Sequence, residues 1–110
     1  MTIRHIGALL LVLSLAALPA REAFSACDRP ILRAEGRMSG WGYAPAYKEM
    51  TARRLAVRKW EQTAAELHGR SYARWSLAKG RKIDCEHYRD RPDLQGRVSC
   101  VAAAIPCSTS

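Results

Sequence analysis

The chain has 110 residues, with 18 Lys and Arg against 10 Asp and Glu, and 48% of its residues are hydrophobic. That length holds one domain with a modest core, and that apolar content excludes a disordered polyelectrolyte. A formal net charge of +8 disfavours basic partners and draws attention to polyanions: nucleic acid, anionic lipid headgroups or acidic polysaccharide.

The first 25 residues read as a secretory signal peptide. Met1 to His5 is a short basic start, Ile6 to Leu18 is uncharged and apolar, and Pro19 precedes a small-residue stretch from Ala20 to Ala26. The apolar run is shorter than the about 20 residues that a membrane span needs, and no later segment approaches that length. Ala23 and Ser25 are small residues at −3 and −1, which places cleavage after Ser25 and starts a single mature domain at 26–110. Cleavage after Ala20 is the second choice. A lipid-attachment reading of Phe24-Ser25-Ala26-Cys27 is the third, and it would consume Cys27. Removing residues 1–25 takes away Arg4, Arg21 and Glu22 and leaves an excess of seven positive charges. Export puts all four cysteines in an oxidising compartment, periplasmic or extracellular.

Ile31 to Glu35 reads as a short strand. Gly36, Ser39, Gly40 and Gly42 mark a loop, within which Trp41 and Tyr43 are expected to anchor against the core. Pro45, favoured at a first helical position, opens the strongest signal in the chain. Residues 45–68 contain no further Gly or Pro and are rich in good helix formers, and Gly69 supplies the stop. Ala52, Ala56, Trp60, Thr63, Ala64 and Leu67 share one face, with Met50 and Val57 at its edge. Arg54, Arg58, Gln62 and Glu66 occupy the opposite face, and Glu49 with Arg53 and Glu66 with Arg70 are spaced as ion pairs. Arg53, near the apolar arc, and Leu55, on the polar side, break the pattern. The small alanines let another element approach closely, so the helix is expected to lie flat on a sheet.

A second, short helix is expected from Ser71 as N-cap through Lys79, stopped by Gly80, with Tyr72, Trp75 and Ala78 on its buried face. The last third reads as a hairpin. Ile83, Cys85 and His87 alternate with Asp84, Glu86 and Tyr88. Arg89 to Asp93 and Gly96 form the turn, and Arg97 to Ile105 returns with Val98, Cys100 and Ala102 on one face before Pro106.

Four cysteines allow three pairings. Hairpin geometry sets Cys85 opposite Cys100, which leaves Cys27 for Cys107, although the spacing does not exclude the other pairings. A metal site built on Cys85, His87, Cys100 and Cys107 is a further reading, but no paired Cys-x-x-Cys spacing supports it. A Cys–His nucleophile would need a free thiol beside His68 or His87. The chain carries no Gly-x-Ser-x-Gly, no P-loop and no dinucleotide fingerprint. No cofactor is expected and no catalytic residue is assigned.

Ala52, Ala56, Trp60, His68-Gly69, Tyr72-Ala73-Arg74-Trp75, Cys85, Cys100-Val101-Ala102 and Ala104-Ile105-Pro106-Cys107 form one extended pattern over most of the mature chain. It resembles a group of short exported alphaproteobacterial proteins with an Ala/Trp helix, a Gly-Tyr-Trp segment and a terminal Pro-Cys. The resemblance implies export and disulfides, and no activity.

The expected fold is α+β: a short strand, a long amphipathic helix, a short helix and an antiparallel β-hairpin, stapled by disulfides. The expected function is a non-enzymatic interaction or structural protein with a protein or envelope partner. The alternative is a polyanion binder acting through Arg54, Arg58, Arg70, Arg74, Arg81 and Lys82. A thiol-active or metal-binding protein is the third reading.

Overall fold

The computed structural model describes residues 25–109. Apart from Ser25, the expected signal peptide lies outside the described residues. Strand β1 (Ser25–Ala26) is followed by β2 (Leu32–Met38), helix α1 (Pro45–His68), β3 (Lys79–His87), β4 (Val98–Ile105) and β5 (Ser108–Thr109). β2, β4 and β3 form an antiparallel sheet with β4 in the middle, and β1 pairs with β5 beside it. The fold is α+β, with one long helix laid across one face of a three-stranded sheet.

β4 is the central strand because it carries the smallest side chains. Ala102, Ala103 and Ala104 give it two nearly smooth faces, and it is buried along most of its length. It pairs Gly36 with Cys100 on one side and Cys85 with Cys100 on the other. The core is the row Val98, Cys100, Ala102 and Ala104 against Ala52, Ala56, Trp60 and Ala64 of the helix, with Ala34 of β2. These core positions on α1 recur every four residues, so one narrow stripe of the helix meets the sheet.

Gly36 sets how closely the two layers approach. A Cβ there would collide with Ala56 N and Ala52 O and would stand 2.8 Å from the Leu55 carbonyl carbon. The glycine read as a loop signal is therefore a strand residue on which the helix backbone rests, and β2 runs on to Met38. Trp60 supplies the bulk that the alanines lack. It is fully buried, its Nε1–H donates to Leu32 O at 3.0 Å, and its ring meets Trp75 edge-on at 5.2 Å.

Four expectations for the middle of the chain are corrected. No α-helix spans 71–79. Two 3-10 turns stand there, Arg70–Tyr72 and Trp75–Leu77, and β3 already begins at Lys79. The Glu61 carboxylate accepts the Trp75 N–H at 3.1 Å, which ties the second turn to α1 and prevents a continuous helix. Gly80 is not a helix stop. Between Lys79 and Lys82, β3 takes three steps while β4 takes two, and Gly80 sits at that bulge with φ +68°. Leu67, expected on the buried face, is 62% exposed. The Glu49–Arg53 pair forms at 3.3 Å, but Glu66–Arg70 does not, since the chain turns away at Gly69 with φ +100°.

Trp41 and Tyr43 do not anchor in the core. They are 61% and 50% exposed, on a loop that stands beside the N-terminus of α1. Gly40 N–H donates to Gln95 O at 2.9 Å, so this loop is tied to the β3–β4 turn and not to the space between the layers.

Two disulfides close the structure, Cys27–Cys107 and Cys85–Cys100. The first joins the ends of the described chain across a sequence separation of 80, and the second crosses the hairpin at a separation of 15. Both remove entropy from the unfolded chain, and the longer loop gives the larger effect, about 4 kcal/mol in the chain-entropy view.

Candidate functional site

All four cysteines are oxidised, so no thiolate is available as a nucleophile or a metal ligand. Among the described residues no three His, Cys, Asp or Glu side chains gather where they could hold a metal ion. His68 lies edge-on to the Tyr72 ring at 5.7 Å. The Nε2–H of His87 donates to Glu49 Oε1 at 2.8 Å. The described residues also contain no helix long and apolar enough to cross a membrane. Two disulfides fit an oxidising, non-cytoplasmic compartment.

The feature that organises the surface is the offset of α1. The helix packs on β2 and β4 and barely reaches β3. The strip between its far flank and β3 is therefore not filled, and two adjoining open cavities occupy it. One, about 430 Å³, is lined by Arg53, Arg54, Val57, Arg58, Glu61 and Ile83. The other, about 360 Å³, is lined by Arg53, Trp75, Arg81, Lys82 and Ile83. They share Arg53 and Ile83, so together they form one groove. Val57, Ile83 and Trp75 give it an apolar floor, and five cations face one carboxylate across its rim.

The folding of each wall explains these cations. Arg53 borders the buried stripe of α1, and Arg54 and Arg58 stand one turn apart further round the helix, on its exposed side. Arg81 lies within the β3 bulge, and Lys82 is where regular pairing with β4 resumes. Arg53 is held by Glu49, and Lys82 lies 3.6 Å from Asp84. Arg54, Arg58 and Arg81 form no ion pair among the described residues.

Of the six basic residues singled out in the sequence, Arg54, Arg58, Arg81 and Lys82 meet at this groove. Arg70 and Arg74 do not. Arg70 opens the first 3-10 turn and Arg74 precedes the second, beyond the end of α1, and neither lines either cavity. Arg53, which joins the two cavities, was missed as a site residue. Its signal was present as the charge that broke the apolar arc, since a cation at the edge of a buried stripe faces whatever the helix fails to cover.

Glu49 is the most strongly connected carboxylate beside the groove. Its hydrogen bonds to His87 and Arg53 hold its carboxyl below the usual carboxylate range. The opposite face of the sheet has the reverse character. There Glu35, Asp84, Glu86, Tyr88 and Ser99 line a cavity of about 360 Å³. Ser99 Oγ donates to Glu35 at 2.6 Å and Tyr88 donates to Glu86 at 3.0 Å. That bond, with burial and the Glu86 and Glu35 charges, raises the Tyr88 phenol above its ordinary value. The molecule thus presents a basic groove beside its helix and an acidic patch behind its sheet.

No family model, no curated protein and no solved structure matches this chain.

Proposed function

We propose that this is a non-enzymatic binding protein of the periplasm or the extracellular space, and that the groove between α1 and β3 holds a stretch of an anionic polymer. One observation carries the reading: Arg54, Arg58 and Arg81, drawn from two different elements, converge unpaired on an apolar floor. Convergent cations concentrate a polyanion, and the floor of Val57, Ile83 and Trp75 gives the non-ionic part of such a ligand a surface to cover. An envelope component or a protein that presents a row of carboxylates offers the same chemistry.

The test is binding of the oxidised protein to a sulfated polysaccharide, to single-stranded DNA and to anionic vesicles, each across a salt series. Affinity is expected to fall linearly in log–log form. With three arginines engaged on single-stranded DNA, the slope is expected near −2, about −0.7 per contact. Binding that ignores salt, or no binding at low salt to any of the three, overturns the polyanion reading.

A further inference from the structure

A third cavity, of about 170 Å³, lies at the N-terminal end of α1, apart from the groove. It is framed by the loop that carries Trp41 and Tyr43, by Lys48 of α1, by His87 and Arg89 after β3, and by Gly96 and Val98. We propose that this cavity is a second binding site, for a single ring that bears one carboxylate.

Lys48 carries the argument. It is only 5% exposed, yet it stands in the first turn of a helix, where both desolvation and the positive end of the helix dipole oppose a cation. Its Nζ donates to Gly96 O at 2.8 Å. An ammonium has three N–H donors, and among the described residues no carboxylate lies within ion-pair distance of this one. A buried cation without a counter-ion is costly unless an anion completes it. Lys48 also falls on the buried stripe, four residues before Ala52, where an apolar side chain would have served the core.

The rest of the cavity specifies the ligand. Lys48 Nζ stands over the face of the Trp41 ring, 6.0 Å from its centre, so the ammonium and the indole border one space, and a ring lodged beside them can reach the ammonium with a short acidic substituent. Trp41 and Tyr43 keep about half or more of their surface in water, and Tyr43 is braced by stacking on Tyr47 at 5.5 Å. Exposed flat rings beside a cation form a platform for another ring. Arg89 adds a guanidinium, which matches a carboxylate fork. Glu49, whose carboxylate is 2.8 Å from His87, puts a negative charge behind the cavity wall and disfavours a doubly charged ligand. A side chain at Gly96 would close the space. Its Cβ would stand 2.8 Å from Lys48 Nζ and 3.1 Å from the Trp41 ring, and its φ is +66°. The volume is below the about 300 Å³ where drug-sized sites begin, which limits the ligand to one ring.

A ring carboxylate can come from an acidic sugar or from an aromatic acid, and the test separates them. The oxidised protein is titrated at fixed ionic strength with glucuronate, benzoate, glucose and acetate. Binding is followed on the Trp41 indole N–H resonance, assigned through Trp41→Phe. Glucuronate or benzoate is expected to shift it saturably. Glucose and acetate each lack half of the chemistry and are expected to bind about tenfold more weakly or worse, a difference of about 1.4 kcal/mol. Saturation by glucuronate alone assigns an acidic sugar, and saturation by benzoate alone assigns an aromatic acid. Lys48→Met and Arg89→Ala are each expected to weaken binding about tenfold, whereas Lys59→Ala, outside the cavity, leaves it unchanged. If Lys48→Met does not fold, the exposed Arg89→Ala decides. The proposal is overturned if neither acid moves the Trp41 signal, if glucose binds as tightly as glucuronate, or if binding survives these variants in folded protein. Loss of polymer binding in the groove has no bearing on these outcomes, so the two sites stand or fall separately.

Discussion

The two flanks of α1 are built to opposite rules. Toward β2 the helix is pressed down until backbone meets backbone, through Gly36, Ala52 and Ala56, and Trp60 fills what remains. Toward β3 it stands off, and the space is bordered by arginines. A small domain cannot fill both sides of a helix with so few large apolar side chains. Concentrating close packing on one flank frees the other to carry charge and to stay open. Stability is therefore expected to reside in the seam at β2, and binding in the groove at β3.

The strongest way to break that comparison is Gly36→Val. Its side chain would enter the α1 backbone, which cannot yield locally, so a loss of about 3 kcal/mol or more is expected. That is a large share of the stability of a small domain, and a thermal melt should lose its cooperative transition. Trp60→Phe tests the same seam more gently. It leaves the Leu32 carbonyl without its donor, and a cost of about 1–3 kcal/mol is expected in chemical denaturation. A change at either site that left stability untouched would mean that the seam does not hold the layers together.

The groove should respond in the opposite way. Arg54→Ala with Arg58→Ala is expected to change stability by no more than about 0.5 kcal/mol, because both side chains are exposed and unpaired. The same pair should lower affinity for single-stranded DNA about tenfold at low salt and make the salt slope shallower by about 1.4, two contacts at about 0.7 each. A double variant that melts early but binds normally would invert the division between the flanks.

The smallest effect concerns Glu49, whose hydrogen bonds to His87 and Arg53 connect the groove to the third cavity. Its folded-state pKa lies below the ordinary value of 4.5. The carboxylate therefore stabilises the fold at neutral pH, and that contribution is lost as the pH falls through the folded-state value. Glu49→Gln should flatten the acid limb of a Tm-against-pH curve below about 4.5 and leave the rest of the curve parallel. The group is partly exposed, so the difference should be small and should shrink with salt.

Much of this architecture was legible in the sequence. The absence of Gly and Pro from 46–68, the four-residue spacing of Ala52, Ala56, Trp60 and Ala64, and the two-residue alternation of Ile83, Cys85 and His87 are local periodicities, and local periodicity survives without tertiary context. The segment at 71–79 misleads for the same reason. Its residues favour a helix, but Glu61, at a distance in sequence, captures the Trp75 N–H. The candidate groove was half legible. The residue types were visible, but Arg70 and Arg74 look no different from Arg54 and Arg58 until the chain turns at Gly69.

By itself the sequence determined the α+β class, the long helix and its buried face, the hairpin, and a basic surface of exposed arginines. Each follows from composition or from a repeat of two to four residues, about one helical turn at most. Tertiary structure alone decided that Gly36 is a contact point and not a turn, that Gly80 marks a bulge, that Lys48 is buried beside Trp41, and that four of six basic residues share one groove. Those facts depend on where α1 sits across the sheet. That position is set by one close backbone contact between residues far apart in the chain, which no local pattern encodes.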